Sequence, residues 1–145
     1  MGIPQDEVII LGGDLNGHVG RASAGYEGIH GGFGHGCRNA EGEYVLEFCD
    51  SLGLVLCNTF FQKDENKLIS FSSGGNSSVI DYVAVRSQDR KIVSNVKVIA
   101  SEECVFQHRL MIAEMNFPTQ KAHKRKYVPR IKVWKLKDDL SLIHI

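Results

Sequence analysis

The 145-residue sequence predicts a single α/β or α+β domain whose sheet is only partly covered by helix. Period-two apolar patterns, typical of strands, recur between residues 54 and 117, while a single segment has helical periodicity. Hydrophobic residues make up 43% of the chain, an ordinary share for a soluble globular protein. Because one helix is too small to bury the apolar faces of five or six strands, we expect part of the sheet to lack a packing partner.

The first third of the chain contains a strand, a long loop and the predicted helix. Residues 7–12 are a compact apolar run ended by glycines, which predicts a short buried strand. Residues 12–42 are rich in glycine and histidine, as expected of a long, structured and functional loop. A helix is predicted from Ala40 to Leu52, capped by Asn39 and stopped by Gly53. The side chains on its predicted apolar face are Tyr44, Val45, Phe48, Cys49 and Leu52.

The middle of the chain has the pattern of a β-structure. Strands are predicted at residues 54–58, 68–72, 79–86, 96–100 and 110–117, with a turn at residues 72–77. Pro118 ends the last strand, because proline cannot continue a hydrogen-bonded ladder. We therefore place the domain at residues 1–117 and a separate tail at residues 118–145.

The tail differs from the domain in charge. The chain has 17 basic and 17 acidic side chains, so its net charge says nothing about partners. Residues 121–137, however, include eight lysines and arginines and no acid, which leaves the rest of the chain net acidic. A basic segment of this kind can neutralise phosphates, so weak, non-specific binding of a nucleic acid is expected. The predicted contacts are Lys124, Arg125, Lys126 and Arg130.

Export signals are missing from the sequence. The N-terminus lacks a basic segment, and the apolar run at residues 8–11 is too short for a signal peptide or a membrane span. We expect a nuclear or cytoplasmic protein that is not secreted and makes no membrane contact. The four cysteines include no CxxC pair and are expected to be reduced, with Cys49 and Cys57 in the core.

Two polar groups directly follow the first predicted strand. Asp14 and Asn16 lie two residues apart, so their side chains point the same way at the end of that strand. A carboxylate can bind a hard cation or accept a proton, and a carboxamide can orient water or a phosphate. The alternative is an Asx turn that merely closes the strand.

A second pair of candidates comes from two other strands. Asp81 is the one acid in an otherwise apolar strand, where an unpaired carboxylate is unfavourable. His108, at the start of another strand, is the expected partner, and an Asp–His hydrogen bond would fix the imidazole tautomer. The alternative is that His108 is only a surface histidine beside a strand.

A third group lies in the glycine-rich loop. His30, His35 and Cys37 are all residue types that bind zinc, but their spacing matches no ordinary zinc pattern and a fourth ligand is not obvious. A loop with solvent-facing histidines is therefore the favoured interpretation.

Three motifs together resemble the endonuclease/exonuclease/phosphatase superfamily, which includes the DNase-I-like nucleases and the apurinic endonucleases. They are GDLN at 13–16, IDYV at 80–83 and QHRL at 107–110, in that order. More finely, GDLNGHVG at 13–20, the segment 25–48 and NTFF at 58–61 resemble the endonuclease domain of RTE-type non-LTR retrotransposons. PRIKVWKLKD at 129–138 resembles the segment that follows that domain. The resemblance covers residues 4–139.

The resemblance implies a four-layer α/β sandwich, with two packed mixed sheets flanked by helices, of which this chain is an incomplete C-terminal half. It also implies a Mg²⁺-dependent phosphodiesterase that nicks DNA, with Mn²⁺ as a substitute metal. Asp14 would activate or orient the attacking water, and Asn16 would position water and phosphate. His108 would bind the scissile phosphate, and Asp81 would orient His108.

Two departures from the family pattern affect this expectation. The family usually has an aspartate just before its last histidine, where this chain has Gln107, so the implied metal ligands here are Asp14, Asn16 and Gln107. The family's main metal-binding glutamate belongs to an N-terminal half that this chain lacks. We therefore expect the isolated chain to be inactive, and its uncovered sheet face to bind the missing half or a second copy. The alternatives are a non-catalytic fragment that binds nucleic acid or protein, and a phosphoesterase of the same superfamily.

Overall fold

The computed structural model describes residues 2–119, which form a mixed α/β unit with two antiparallel sheets. The predictions for the basic tail, including its four DNA contacts, lie outside the described residues. The one α-helix of this range is α1 (Ala40–Leu52). The strands are β1 (Ile10–Asp14), β2 (Leu54–Leu56), β3 (Phe71–Ser73), β4 (Asn76–Ser78), β5 (Asp81–Arg86), β6 (Val93–Val105) and β7 (His108–Met115). Short 3-10 helices span Cys57–Phe60, Glu65–Lys67 and Ser87–Ile92.

The elements stack in three layers. The first sheet has the order β1-β5-β2 and the second the order β4-β3-β7-β6. One face of the first sheet, including Leu56 and Tyr82, packs with Leu46 of α1. The opposite face, including Val83, packs with Val96 of the second sheet. This confirms a mixed α/β fold that matches part of a sandwich. Both described sheets are antiparallel, where mixed sheets were expected.

Helix α1 begins and ends where the sequence predicts. Asn39 accepts a hydrogen bond from Gly42 N at its N-terminus, and Gly53 adopts the left-handed conformation at its end (φ 65°). The predicted apolar face was only partly right. Val45 and Cys49 are buried together with Leu46. Tyr44, Phe48 and Leu52 are exposed, because the sheet contacts the neighbouring side of the helix.

Strand β1 differs from its prediction in position and burial. It spans Ile10–Asp14 instead of residues 7–12, and four of its five residues are exposed. The reason is topological: β1 lies at the edge of the first sheet and pairs only with β5. Apolar periodicity cannot distinguish an edge strand from a central one when the neighbouring strand is distant in sequence.

The other strands were predicted at nearly the right places. Residues 54–58 end as a 3-10 turn after Leu56, and the predicted turn at 72–77 is a tighter hairpin with Gly74 and Gly75 at its tip. Both glycines have positive φ, as a two-residue hairpin turn requires. Strand β6 extends in both directions beyond residues 96–100. Within residues 2–119, no helix is long and apolar enough to cross a bilayer.

The exposed apolar side chains are distributed over several surfaces. The sequence predicted one uncovered sheet face. In the structure, the exposed large apolar groups lie on α1 (Tyr44, Phe48, Leu52), on β1 and before it (Ile3, Val8, Ile10), in the loop before α1 (Phe33), at the turn between β6 and β7 (Val105, Phe106), and on β7 and after it (Leu110, Phe117). The sheet face itself is only one part of the uncovered apolar surface.

His30 has a structural role in the loop between β1 and α1. It is 1% exposed, its Nε2 lies 2.9 Å from Gly20 O, and its Nδ1 accepts a hydrogen bond from Gly32 N at 3.0 Å. Both ring nitrogens are therefore occupied by backbone groups. The expectation of solvent-facing histidines was wrong for His30. In the described part of the chain, the only group of three or more His, Cys, Asp or Glu side chains that could hold a metal ion lies outside this loop region, at Asp14, Asp81 and His108.

Acidification is expected to weaken the fold through His30. Burial lowers its pKa below the ordinary 6.5, so the unfolded chain binds the proton more readily. Stability is then present above pH 6.5 and is lost as the pH falls below it, by at most about 1.4 kcal/mol per pH unit. Urea unfolding at pH 7.5 and 5.5 measures this. His30→Gln should be less stable at both values but should change less between them; an equal change in both proteins would contradict the assignment.

Candidate active site

Two carboxylates lie side by side on adjacent strands of the first sheet. Asp14 ends β1, Asp81 begins β5, and the two residues are register partners in the antiparallel ladder. Directly opposite residues project to the same face of a sheet, so their side chains are brought together by strand pairing alone. The Asp81 side chain is 17% exposed and that of Asp14 is 42% exposed.

His108 reaches this pair from the second sheet. Its Nδ1 lies 3.0 Å from Asp81 Oδ2, and its Nε2 lies 3.8 Å from Asp14 Oδ2. One ligand atom from each of the three side chains lies within 4.8 Å of the others. The predicted hydrogen bond between Asp81 and His108 is therefore present, and the three residues converge from β1, β5 and β7.

The contacts of the imidazole determine which nitrogen is available. An ionised carboxylate can only accept, so the bond to Asp81 places a proton on Nδ1. Nε2 is then the nitrogen that faces Asp14 and the opening of the site. Phe71 of β3 packs against the ring edge-on, with centroids 5.0 Å apart, and restricts its rotation.

The backbone of Asp81 is held on both sides by buried polar side chains. Ser70 Oγ accepts from the N–H groups of Ile80 and Asp81, each at 3.2 Å. Asn58 Nδ2 donates to Asp81 O at 3.2 Å, while its Oδ1 accepts from Val83 N at 2.8 Å. Sequence reasoning assigned no role to Ser70 or Asn58. Each is a polar residue at the end of an apolar run, which is equally typical of a loop, and Asn58 also belongs to the segment NTFF that carries the family resemblance.

Asn16 and Gln107 occupy less central positions than the resemblance implied. Asn16 N donates to Asp14 Oδ1 at 2.8 Å, so the Asx turn considered as the alternative is present. Asn16 also lines a groove beside Tyr44 and Phe48 of α1. Gln107 Nε2 donates to Ser73 Oγ at 2.7 Å, which directs its amide towards the hairpin of β3 and β4.

The three central residues line an open cavity of about 380 Å³, here called the site cavity. Its lining residues are Gly13, Asp14, Asp81, Cys104, Val105, His108, Arg109, Leu110 and Met111. The lining is therefore polar at Asp14, Asp81 and His108 and apolar at Val105, Leu110 and Met111 of the β6–β7 region. Such a combination suits a ligand with a charged group and an uncharged flat or aliphatic part.

The donor set fits a divalent cation in part. Asp14 offers a solvent-accessible carboxylate whose Oδ1 is engaged only by the local backbone. Magnesium prefers oxygen ligands and is commonly held by one or two carboxylates, with water and phosphate completing its shell. Asp81 is less available, because its Oδ2 binds His108. Asp14 is thus the residue of the three that fits a magnesium ligand best.

Comparison with known proteins identifies relatives of this chain. No family model matches the sequence. Over 129 residues, 88% of this chain, it is 33% identical to craniofacial development protein 2 of Bos taurus and to the protein of the same name of Tragulus javanicus. The match covers 20% and 21% of those proteins. The chain is therefore homologous to a portion of craniofacial development protein 2 and spans about a fifth of the relatives' length.

Proposed function

We propose that this chain is part of a Mg²⁺-dependent phosphodiesterase domain that nicks DNA, of the endonuclease/exonuclease/phosphatase superfamily. The observation that carries the proposal is the array Asp14–His108–Asp81, with 3.8 and 3.0 Å between successive polar atoms. An imidazole between two carboxylates, at the floor of an open cavity, suits binding of a phosphate and activation of water. The motifs GDLN, IDYV and QHRL support the same assignment.

Each residue would have a distinct task. With Nδ1 bound to Asp81, His108 would contact a phosphate oxygen through Nε2, and the Asp81 carboxylate would orient the ring. Asp14, the more exposed carboxylate, would orient the attacking water and accept its proton. Asn16, whose backbone N–H closes the Asx turn with Asp14, would contact water or phosphate beside Asp14.

The proposed metal ligand in the described residues is the carboxylate of Asp14. A magnesium ion would contribute neutralisation of charge on the phosphodiester. The role of Ser70 and Asn58 follows from their contacts: both bind the backbone of Asp81, so both would keep the Asp81 carboxylate in register with His108. They act on the reaction only through Asp81 and are positioning residues.

The expected result for the purified chain is binding of DNA and Mg²⁺ without detectable nicking. Phosphodiester hydrolysis depends on several groups that act as a unit, and losing one member commonly lowers the rate by orders of magnitude. Within the described part of the candidate site, Asp14 has the one carboxylate that is not hydrogen-bonded to another side chain. Plasmid nicking measures activity, while NMR of the His108 ring measures binding of a short DNA strand with and without Mg²⁺.

Matched variants separate the outcomes of this experiment. His108 shifts should respond to DNA in the wild type and should lose that response in Asp81→Asn, whereas Asp50→Asn, an exposed acid on α1, should behave as the wild type. Magnesium-dependent nicking that disappears in Asp14→Ala would show that the isolated chain is active. A His108 ring that does not respond to DNA would refute the assigned site and favour a non-catalytic binding role.

A further inference from the structure

The turn between β6 and β7 exposes the most solvent-accessible large apolar side chain of residues 2–119. Phe106 is 81% exposed and its neighbour Val105 is 65% exposed. Almost none of the stabilisation that burial of a phenylalanine side chain provides is gained by Phe106 in the described structure. A pair of such residues at a hairpin tip is a candidate contact surface.

The tip is held in place at its base. Gln107 adopts a positive φ of 69°, which is uncommon for a residue other than glycine. Its side chain donates to Ser73 Oγ at 2.7 Å, and its carbonyl accepts from Ser72 N at 3.0 Å. The turn is therefore anchored to the hairpin of β3 and β4, and Phe106 is presented outward from a fixed support.

The tip also lies directly beside the candidate active site. Val105 lines the site cavity together with Asp14 and His108. Phe106 adjoins Val105 in the turn and lies two residues before His108, although it is not itself part of the cavity lining. A ligand bound at His108 that extends past Val105 would therefore reach the tip that carries Phe106.

The charges around the tip favour an uncharged ligand there. Glu102 and Glu103, both exposed on β6, precede the turn and would repel a phosphate. Arg109, on the β7 side, lines the site cavity. Glu103 is the register partner of Arg109 and offsets its charge, so a phosphate fits the His108 side of the cavity, and an uncharged aromatic group fits the side of Phe106.

From this arrangement we infer that Phe106 is a stacking platform for a nucleobase of the DNA strand whose phosphate binds at His108. The inference rests on the proposed function and adds a side chain that stacks against the base. Stacking on an aromatic side chain is tolerant of base identity, because every base has a π face. Phe106 would thus contribute affinity and position the strand without selecting a particular sequence.

The test places the chain's single tryptophan at the tip. In the double variant Trp134→Phe with Phe106→Trp, the fluorescence should be quenched by a single-stranded oligodeoxynucleotide and protected from acrylamide. The matched control, Trp134→Phe with Phe117→Trp, places tryptophan at a 54% exposed position beyond the end of β7 that is far from His108, and should not respond. In the wild-type background, Phe106→Ala should weaken binding of the oligonucleotide by roughly 5- to 150-fold, and Phe106→Leu should weaken it nearly as much.

The outcomes distinguish this inference from the proposed function. One outcome would refute only the stacking role. In it, DNA shifts the His108 resonances, but the fluorescence of the Phe106→Trp double variant is not quenched and Phe106→Ala binds DNA as tightly as the wild type. The proposed site would then stand. If DNA produces no response at His108 or at position 106, both proposals fail. If the tryptophan introduced at position 106 becomes protected with rising protein concentration in the absence of DNA, the tip is a contact between copies of the chain, and the inference is overturned.

Discussion

Replacing Gly42 with alanine is expected to destabilise the chain by about 3 kcal/mol, a large effect for a single methyl group. Elsewhere in a helix the same substitution stabilises by about 1 kcal/mol, because alanine has the higher helix propensity. Gly42 lies in the first turn of α1, and a Cβ there would overlap the carbonyl oxygen of His18. The obstacle is backbone, so the loop or the helix would have to shift. Urea unfolding with circular dichroism measures the change.

The contact at Gly42 is tight because the backbone of the loop at residues 17–18 packs directly against the backbone of the first turn of α1, with no side chain between them. A Cβ on Gly17 would in turn come within 2.7 Å of the Glu41 carbonyl. Asn39 connects the same segments, since its Oδ1 accepts from both His18 N and Gly42 N. Separating them would also disturb the chain immediately after Asp14, so Gly42→Ala should loosen the candidate site.

The control for this prediction is Gly12→Ala. A Cβ on Gly12 of β1 would meet nothing within 4 Å, and its backbone is not left-handed. Its stability should therefore remain within about 0.5 kcal/mol of the wild type. If Gly42→Ala were as stable as the wild type, the loop and α1 would not be in the close contact described.

Local signals explain which elements the sequence predicts well. The bounds of α1 are correct because capping by Asn39 and termination by Gly53 are interactions within a few residues. The exposed side of α1 and the edge position of β1 depend on partners distant in sequence. No local pattern contains that information, and both predictions of burial were wrong in part.

The candidate site divides in the same way. Asp81 and His108 were paired correctly, because a carboxylate in an apolar strand requires a partner, and a histidine at the start of another strand can supply one. Ser70 and Asn58 were missed, since their hydrogen bonds join segments that only the fold brings together. The orientation of Gln107 depends on a left-handed turn and on Ser73, neither of which residue type alone can predict.

Removing the hydroxyl of Tyr82 is expected to destabilise the chain by roughly 2 kcal/mol, although Tyr82→Phe preserves the ring. Tyr82 is 1% exposed, and its hydroxyl lies 2.8 Å from both Gly17 O and Val79 O while accepting from Val19 N at 3.3 Å. Without it, buried backbone groups lose a partner that water cannot easily replace.

The same hydroxyl connects stability to the candidate site. Gly17 and Val19 belong to the loop that follows Asp14 and Asn16, so Tyr82→Phe frees that loop from β5. Hydrogen exchange at Val19 N should become faster by more than the loss of global stability alone would cause. The response of the His108 ring to DNA should also weaken. Tyr44→Phe is the matched control, because Tyr44 is 67% exposed on α1 and its stability should change by less than about 0.5 kcal/mol. Equal stability of the two phenylalanine variants would mean that the Tyr82 hydroxyl does not hold the loop, and that its packing alone explains its burial.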